Sequence, residues 1–119
     1  MVATREPDGA VLLPNLPAPP GHMFVRVRGH SMWGPPLFIC SGDVLMFDFE
    51  AEPMNGDIVL ALVDHDESTI KRFYRKKGTI ELHPLNQEYE PVVFKGAKAK
   101  ALKIQGVAVS LYRGIRHAE

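Results

Sequence analysis

The sequence predicts an all-β fold for a single domain, and three observations support this prediction. The chain has 119 residues, a length that suits one hydrophobic core. Its apolar residues form short runs with the alternation typical of strands, and turn residues separate these runs. No segment has the pattern of a long amphipathic helix. Several short strands at close spacing favour a compact β architecture.

Residues 1–21 are expected to form an extended, irregular arm. Half of the ten prolines lie there, at positions 7, 14, 17, 19 and 20, and proline interrupts both helices and central strands. One apolar patch, Val11-Leu12-Leu13, is available to dock on the rest of the protein or on a neighbouring molecule. Residues 22–119 then form the folded domain.

Strands are predicted in order along the remainder of the chain, over residues 23–28, 44–49, 58–63, 69–75, 79–83 and 101–112. Turn residues separate the early ones, as in Ser41-Gly42-Asp43 and Asn55-Gly56-Asp57. Gly106 interrupts the last apolar run and indicates a bulge or a bend. Segment 33–39 has room for a helical turn.

Composition narrows the classes of function. The chain has 14 basic and 14 acidic residues, so it has no basic surplus for direct binding to nucleic acid. No apolar run approaches the roughly 18 residues of a membrane span, and the single cysteine excludes an internal disulfide. The five histidines are not at ligand spacing. We therefore expect a cytoplasmic protein without membrane contact, metal or other cofactor.

The first segment with potential chemistry is Gly29-His30-Ser31-Met32, at the end of a predicted strand. A serine at this place is accessible at a strand edge. The glycine permits a close backbone approach or a positive φ. Neighbouring backbone N–H groups can then point at a developing oxyanion. Taken alone, Ser31 is interpreted as an ordinary turn serine.

The second segment is the predicted strand from Thr69 to Phe73, in which alternation places Thr69, Lys71 and Phe73 on one face. A serine hydroxyl is a poor nucleophile until a base takes its proton. An amine can be that base only when it is neutral, and burial favours the neutral form of a lysine. Without further context, Lys71 could simply be a surface lysine.

Six segments in a fixed order resemble the LexA/UmuD family of self-processing serine peptidases. That family has a Gly-x-Ser-Met box, a Gly-Asp before an apolar strand, and an Asn-Gly turn before a second one. A Thr-Val-Lys-Arg-type strand, a Leu-x-Pro-x-Asn-x-x-Tyr-x-Pro segment and a Gly-Val-x-Val strand follow. The corresponding segments here are Gly29-His30-Ser31-Met32, Gly42-Asp43-Val44-Leu45, Asn55-Gly56-Asp57-Ile58-Val59, Thr69-Ile70-Lys71-Arg72-Phe73, Leu82-His83-Pro84-Leu85-Asn86-Gln87-Glu88-Tyr89-Glu90-Pro91 and Ile104-Gln105-Gly106-Val107-Ala108-Val109.

The resemblance implies a fold of twisted antiparallel sheets or a partly open barrel, of the LexA C-terminal type, usually as a homodimer. It implies Ser31 as nucleophile and Lys71 as general base. The backbone N–H groups of Ser31 and Met32 would hold the oxyanion. Candidates for the substrate groove are Gly29, His30, Trp33 and Thr69.

Self-cleaving members of that family carry a scissile Ala-Gly or Cys-Gly bond well before the serine. This chain has 30 residues ahead of Ser31 and no such pair among them. It is therefore expected to be either the product of such a cleavage or a naturally short member. The separation of Ser31 and Lys71 is slightly long for the family, and the extra residues are expected in loops 33–39 and 64–67.

Several biological roles remain open on the sequence. The resemblance implies a link to the SOS response to DNA damage, and an accessory role to an error-prone DNA polymerase or activation by a RecA filament would fit it. The alternative is a dimerisation or partner-binding module without catalysis, such as the C-terminal domain of a phage or LexA-like repressor. A signal-peptidase-like enzyme fits less well because no membrane anchor is evident.

Overall fold

The computed structural model describes residues 8–63 and 67–114, and these residues form one antiparallel sheet. The sheet curls until its first strand also contacts its fifth, so the predicted all-β, partly open architecture is confirmed. The strands are β1 (Gly9–Leu13), β2 (His22–Arg28), β3 (Val44–Asp48), β4 (Ile58–Leu62), β5 (Ser68–Lys76), β6 (Thr79–His83), β7 (Val92–Lys95) and β8 (Lys103–Tyr112), and a short helix, α1 (Ala97–Ala101), precedes β8. Across the sheet their order is β1-β2-β3-β8-β4-β5-β6-β7.

All the strands that the sequence predicts are present, and their ends agree to within two residues. Three further elements, β1, β7 and α1, were not predicted. Residues 9–13 were expected in an irregular arm, but this proline-free stretch pairs with the open edge of β2. Residues 1–7 and 64–66, which include parts of the predicted arm and loop, lie outside the described residues.

Segment 33–39 contains one helix-like turn, as the sequence allows. The Phe38 N–H donates to the Gly34 carbonyl at 2.7 Å, which closes a single helix-like turn. The last strand is irregular as predicted, because its pairing register shifts against both β3 and β4. A Cβ on Gly106 would lie 2.8 Å from the Phe49 ring, so this strand needs glycine at its closest approach to that ring.

Two hydrophobic clusters cover the two faces of the central strands. On β4, Leu60 belongs to one cluster while its neighbour Val59 belongs to the other, which explains why β4 is apolar throughout. The first cluster is Val25, Val27, Met32, Ile39, Leu45, Phe47, Ile58, Leu60, Ile70 and Leu85. The second is Val59, Ala61, Phe73, Ile80, Leu82, Ala99 and Val107.

None of the helical residues in the described ranges forms a helix long and apolar enough to cross a membrane.

Candidate active site

Ser31 lies in the tight turn that follows β2. The turn begins at Gly29, whose φ of 88° is in the region that favours glycine, and the Trp33 N–H closes it on the His30 carbonyl at 3.1 Å. Met32 is 1% exposed and belongs to the first hydrophobic cluster. The buried Met32 side chain therefore anchors the turn and fixes where its neighbour Ser31 points.

A second segment holds this turn from the other side. The Asn86 N–H donates to the Ser31 carbonyl at 3.0 Å, and the Asn86 side-chain amide donates to the His30 carbonyl at 3.0 Å. Gly34 packs directly on the same segment, because a Cβ there would clash with the Leu85 carbonyl oxygen. The Leu-x-Pro-x-Asn stretch of the sequence thus acts as a clamp on the serine turn.

Lys71 lies within β5, opposite Val59 of β4. The residue is 8% exposed, and the neighbouring Phe73 is buried in the second hydrophobic cluster. The sequence predicts that Lys71 shares a strand face with the aromatic side chain of Phe73. In the structure, both residues are buried.

The structure brings the two predicted residues together. Lys71 Nζ donates to Ser31 Oγ at 3.2 Å and to Thr69 Oγ1 at 2.7 Å. Serine and lysine at hydrogen-bonding distance are the arrangement that a nucleophile and its general base require. Thr69 lies two residues before Lys71 on β5, and its hydroxyl fixes the direction of the amine.

A third side chain, Asp8, enters the site just before β1. Its Oδ1 accepts a 2.6 Å hydrogen bond from Ser31 Oγ, and its Oδ2 accepts one of 2.7 Å from Lys71 Nζ. The Asp8 backbone also passes directly over Gly29, since a Cβ on that glycine would lie 2.7 Å from Asp8 Cα. Gly29 therefore permits the close approach that the sequence suggested.

A cavity of about 480 Å³ opens beside Lys71 and is lined by both polar and apolar residues. Thr69 and Arg28 contribute polar groups to it, and Leu82 and Phe94 contribute apolar ones. Of the groove candidates, Thr69 therefore lies at the serine–lysine pair, and Gly29 lies against Asp8, which contacts both members of that pair. His30 and Trp33 instead line a separate depression with Asn86 and Glu88.

A second ion pair ties the end of β8 to the loop after the serine turn. Asp43, which is 4% exposed, accepts hydrogen bonds from the Arg113 guanidinium and from the Cys40 N–H at 2.8 Å. Arg113 also donates to the Phe38 carbonyl at 2.8 Å. The hydrogen bond and the charge of Asp43 raise the pKa of Arg113 above its ordinary value.

Sequence reasoning missed Asp8 and the function of Asn86 as a clamp. Asn86 stands in a recognisable motif, but nothing in its spacing shows that it contacts the serine turn. The only sequence signal at Asp8 is an Asp-Gly pair, and it lies in a segment that was predicted to be irregular. Both residues reach the site through contacts distant in sequence, which periodicity does not reveal.

Comparison with known proteins identifies a matching family and several similar proteins. The model of the family described as Peptidase S24-like matches residues 2–109. A LexA repressor of Thermotoga petrophila is 41% identical over 87 residues, which are 72% of this chain and 43% of that protein. LexA repressors of Geotalea uraniireducens (41% identical; 77% of this chain, 44% of that protein) and Lacticaseibacillus casei (37%; 83% and 45%) are also similar. The chain thus spans less than half the length of these relatives.

Proposed function

This chain belongs to the peptidase S24-like family, and from that premise we propose that it is a LexA-type serine peptidase domain with Ser31 as nucleophile and Lys71 as general base. The observation that carries the proposal is the 3.2 Å contact between Ser31 Oγ and Lys71 Nζ within a largely buried site. The structure holds both groups on rigid elements, the anchored turn after β2 and the central part of β5. Pre-positioned reacting groups are what such catalysis needs.

The proposed reaction is hydrolysis of a peptide bond through an ester intermediate. Neutral Lys71 takes the hydroxyl proton while Ser31 Oγ attacks the carbonyl carbon, and the resulting oxyanion is held by the backbone N–H groups of Ser31 and Met32. The intermediate then expels the amine, which receives the proton from Lys71. Water, activated by the same lysine, hydrolyses the ester and frees the serine.

The cavity beside Lys71 supports an extended peptide as the substrate. It lies where β1 passes the site, so a peptide strand can follow the edge of β2 and place its side chains among Leu82, Val92 and Phe94. Pairing with a sheet edge gives a peptide its backbone hydrogen bonds, and the cavity then selects side chains. Gly29 and Thr69 border this path.

The proposal is tested by incubating the protein with an extended peptide that carries an Ala-Gly bond and following the products by mass spectrometry. Cleavage that is lost in both Ser31→Ala and Lys71→Ala, but retained in His30→Ala, would support the assigned roles. His30 lies outside the serine–lysine cavity, which makes it a suitable neighbouring control. Cleavage that persists in Ser31→Ala would refute them.

We also propose that the domain forms a homodimer in the cytoplasm. Val109, Leu111 and Tyr112 of β8 are exposed apolar side chains close together on one strand, and such surfaces are typical of interfaces. Sedimentation at increasing concentration tests this, because a chain that remains monomeric would contradict it. Replacing Leu111 by Glu should then shift the protein towards the monomer.

The pathway is proposed from the relatives alone. Proteins named LexA repressor are similar over most of this chain, so we infer a role in the SOS response, with a RecA filament or an error-prone DNA polymerase as the partner. The balanced charge of the chain argues against direct binding to nucleic acid. A pull-down with immobilised RecA filaments, with Ser31→Ala to trap the complex, tests the first partner.

The alternative function is a partner-binding module whose site does not react. One observation favours it: the Asp8 carboxylate occupies the serine–lysine pair. The family match favours either of these functions over a signal-peptidase-like enzyme. A serine that stays unreactive after the Asp8 carboxylate is removed would favour the module.

A further inference from the structure

We propose that Asp8 is an internal inhibitor of the site, and that an extended peptide must displace the Asp8 segment before Ser31 can react. This inference deepens the proposed function and rests on it. Asp8 bridges both members of the pair, with Oδ1 on Ser31 and Oδ2 on Lys71. The carboxylate therefore lies where the reacting carbonyl of a substrate would have to approach.

Hydrogen-bond counting shows why this arrangement cannot react. An ammonium group has three N–H donors, and Lys71 Nζ has three acceptors around it, namely Asp8 Oδ2, Ser31 Oγ and Thr69 Oγ1. All three donors are used, so the geometry is that of the protonated amine. A protonated amine has no lone pair with which to take a proton from the serine.

The serine hydroxyl also donates its hydrogen bond to a group other than Lys71. Ser31 Oγ donates to Asp8 Oδ1 at 2.6 Å, because an ionised carboxylate can only accept. The hydroxyl hydrogen consequently points at the aspartate and away from Lys71. With Asp8 removed, the lysine loses its anionic partner, and the serine hydroxyl is free to turn towards the amine.

The segment that carries Asp8 is held in a way that permits exchange. It continues into β1, an edge strand whose hydrogen-bonded partner is β2. Val11 and Leu12 on β1 are exposed by 36% and 46%, so this strand buries little apolar surface. Edge strands with few buried contacts open at low cost, and a peptide that pairs with β2 would replace the same backbone hydrogen bonds.

Other charged groups lie near the serine–lysine pair, but no described hydrogen bond joins them to the Lys71 amine. Arg28 of β2 and Glu67, just before β5, also line the cavity. The described hydrogen bonds of the Lys71 ammonium nevertheless go to Asp8, Ser31 and Thr69. The Asp8 carboxylate is thus the anionic group in direct contact with the amine.

The first test measures the reactivity of Ser31 with a fluorophosphonate probe in the full chain. In this reaction Ser31 Oγ bonds to phosphorus, fluoride leaves, and the hydroxyl proton passes to the base. Asp8→Ala is expected to label at least tenfold faster than the natural sequence. Glu90→Ala, which removes an exposed carboxylate from a loop, is the matched control and should not change the rate. Asp8→Ala/Ser31→Ala should not label.

The second test measures Lys71 without requiring any reaction of Ser31. Brief treatment with acetic anhydride acetylates neutral amines, and peptide mass spectrometry reports the rate at each lysine. Asp8→Ala should accelerate acetylation of Lys71 at least tenfold. The exposed Lys76 and Lys77 should react at unchanged rates and serve as internal controls.

The two tests separate the inhibitor proposal from the proposed function. Faster reaction at both residues supports both proposals. Measurable Ser31 labelling at the same rate in Asp8→Ala and in the natural sequence overturns the inhibitor proposal and leaves the peptidase proposal standing. Faster acetylation of Lys71 with no labelling of Ser31 in any variant supports the action of Asp8 on the lysine and overturns the peptidase. Unchanged rates at both residues overturn the inhibitor proposal.

Discussion

Asp43 and Asp8 each pair with a basic side chain, but the two pairs are built differently. Asp43 is 4% exposed and accepts from the Cys40 N–H as well as from Arg113, so it joins a loop to the end of the last strand. The Asp8 side chain is 31% exposed and comes from the edge of the sheet, and its partners are the hydroxyl and the amine of the candidate site.

The difference shows how the surroundings of an ion pair decide its function. Asp43 accepts from a partly buried backbone donor, and its removal would leave that donor without this acceptor. Asp8 lies on a segment that a peptide can replace. When the segment is displaced, Ser31 and Lys71 contact the bound peptide instead of the Asp8 carboxylate. We therefore assign Asp43 to stability and Asp8 to control of reactivity, and the following substitutions test that division.

The largest effect is expected from Lys71→Met, which keeps an unbranched apolar stem but removes the amine. Loss of the general base should lower the rate of peptide cleavage by roughly a thousandfold or more. The fold should survive, because a methionine of similar volume replaces a buried charge. Initial rates by mass spectrometry and a thermal melt check both parts. A folded Lys71→Met protein with natural activity would remove Lys71 from the mechanism.

Asp43→Ala is expected to act on stability. Loss of the acceptor for the Cys40 N–H should lower the free energy of unfolding by about 1–3 kcal/mol. Asp8→Ala should lower it by less, because Lys71 keeps Ser31 Oγ and Thr69 Oγ1 as hydrogen-bond partners and the Asp8 side chain is partly exposed. Urea denaturation of both variants measures the difference. If Asp8→Ala were the more destabilising of the two, the proposed division between the pairs would be wrong.

A smaller effect is expected from Thr69→Val, which keeps the shape of the side chain but removes the acceptor of Lys71 Nζ. The amine should lose its fixed direction, and the cleavage rate should fall by about tenfold. Thr69→Ser, which restores the hydroxyl, should recover most of the rate. Equal rates in Thr69→Val and Thr69→Ser would show that the 2.7 Å contact does not position the lysine.

The strands that the sequence predicts correctly are those with a strong local pattern. β4 is a short, wholly apolar run and β5 alternates, while Gly56 precedes the first and Gly78 follows the second. β7 was not predicted because its apolar run, Val92 to Phe94, is very short. A lysine-rich segment follows it directly. β1 was not predicted because the surrounding prolines dominate the local signal, whereas its pairing depends on the distant edge of β2.

The candidate site was predictable in part, because two of its residues lie in local sequence motifs. Ser31 and Lys71 stand in motifs with a recognisable order, and the structure places them at hydrogen-bonding distance. Asp8 carries no motif, and its position follows from the passage of its backbone over Gly29. That passage depends on the curl of the whole sheet, which no local pattern encodes.

The most direct test of the central claim is the pH dependence of peptide cleavage between pH 7 and 10, in the natural sequence and in Asp8→Ala. A neutral lysine base predicts a rate that rises with pH in both proteins, with Asp8→Ala faster at every pH. Both Ser31→Ala and Lys71→Ala should remain inactive throughout. Cleavage that does not change with pH, or that persists in Lys71→Ala, would contradict the serine–lysine mechanism.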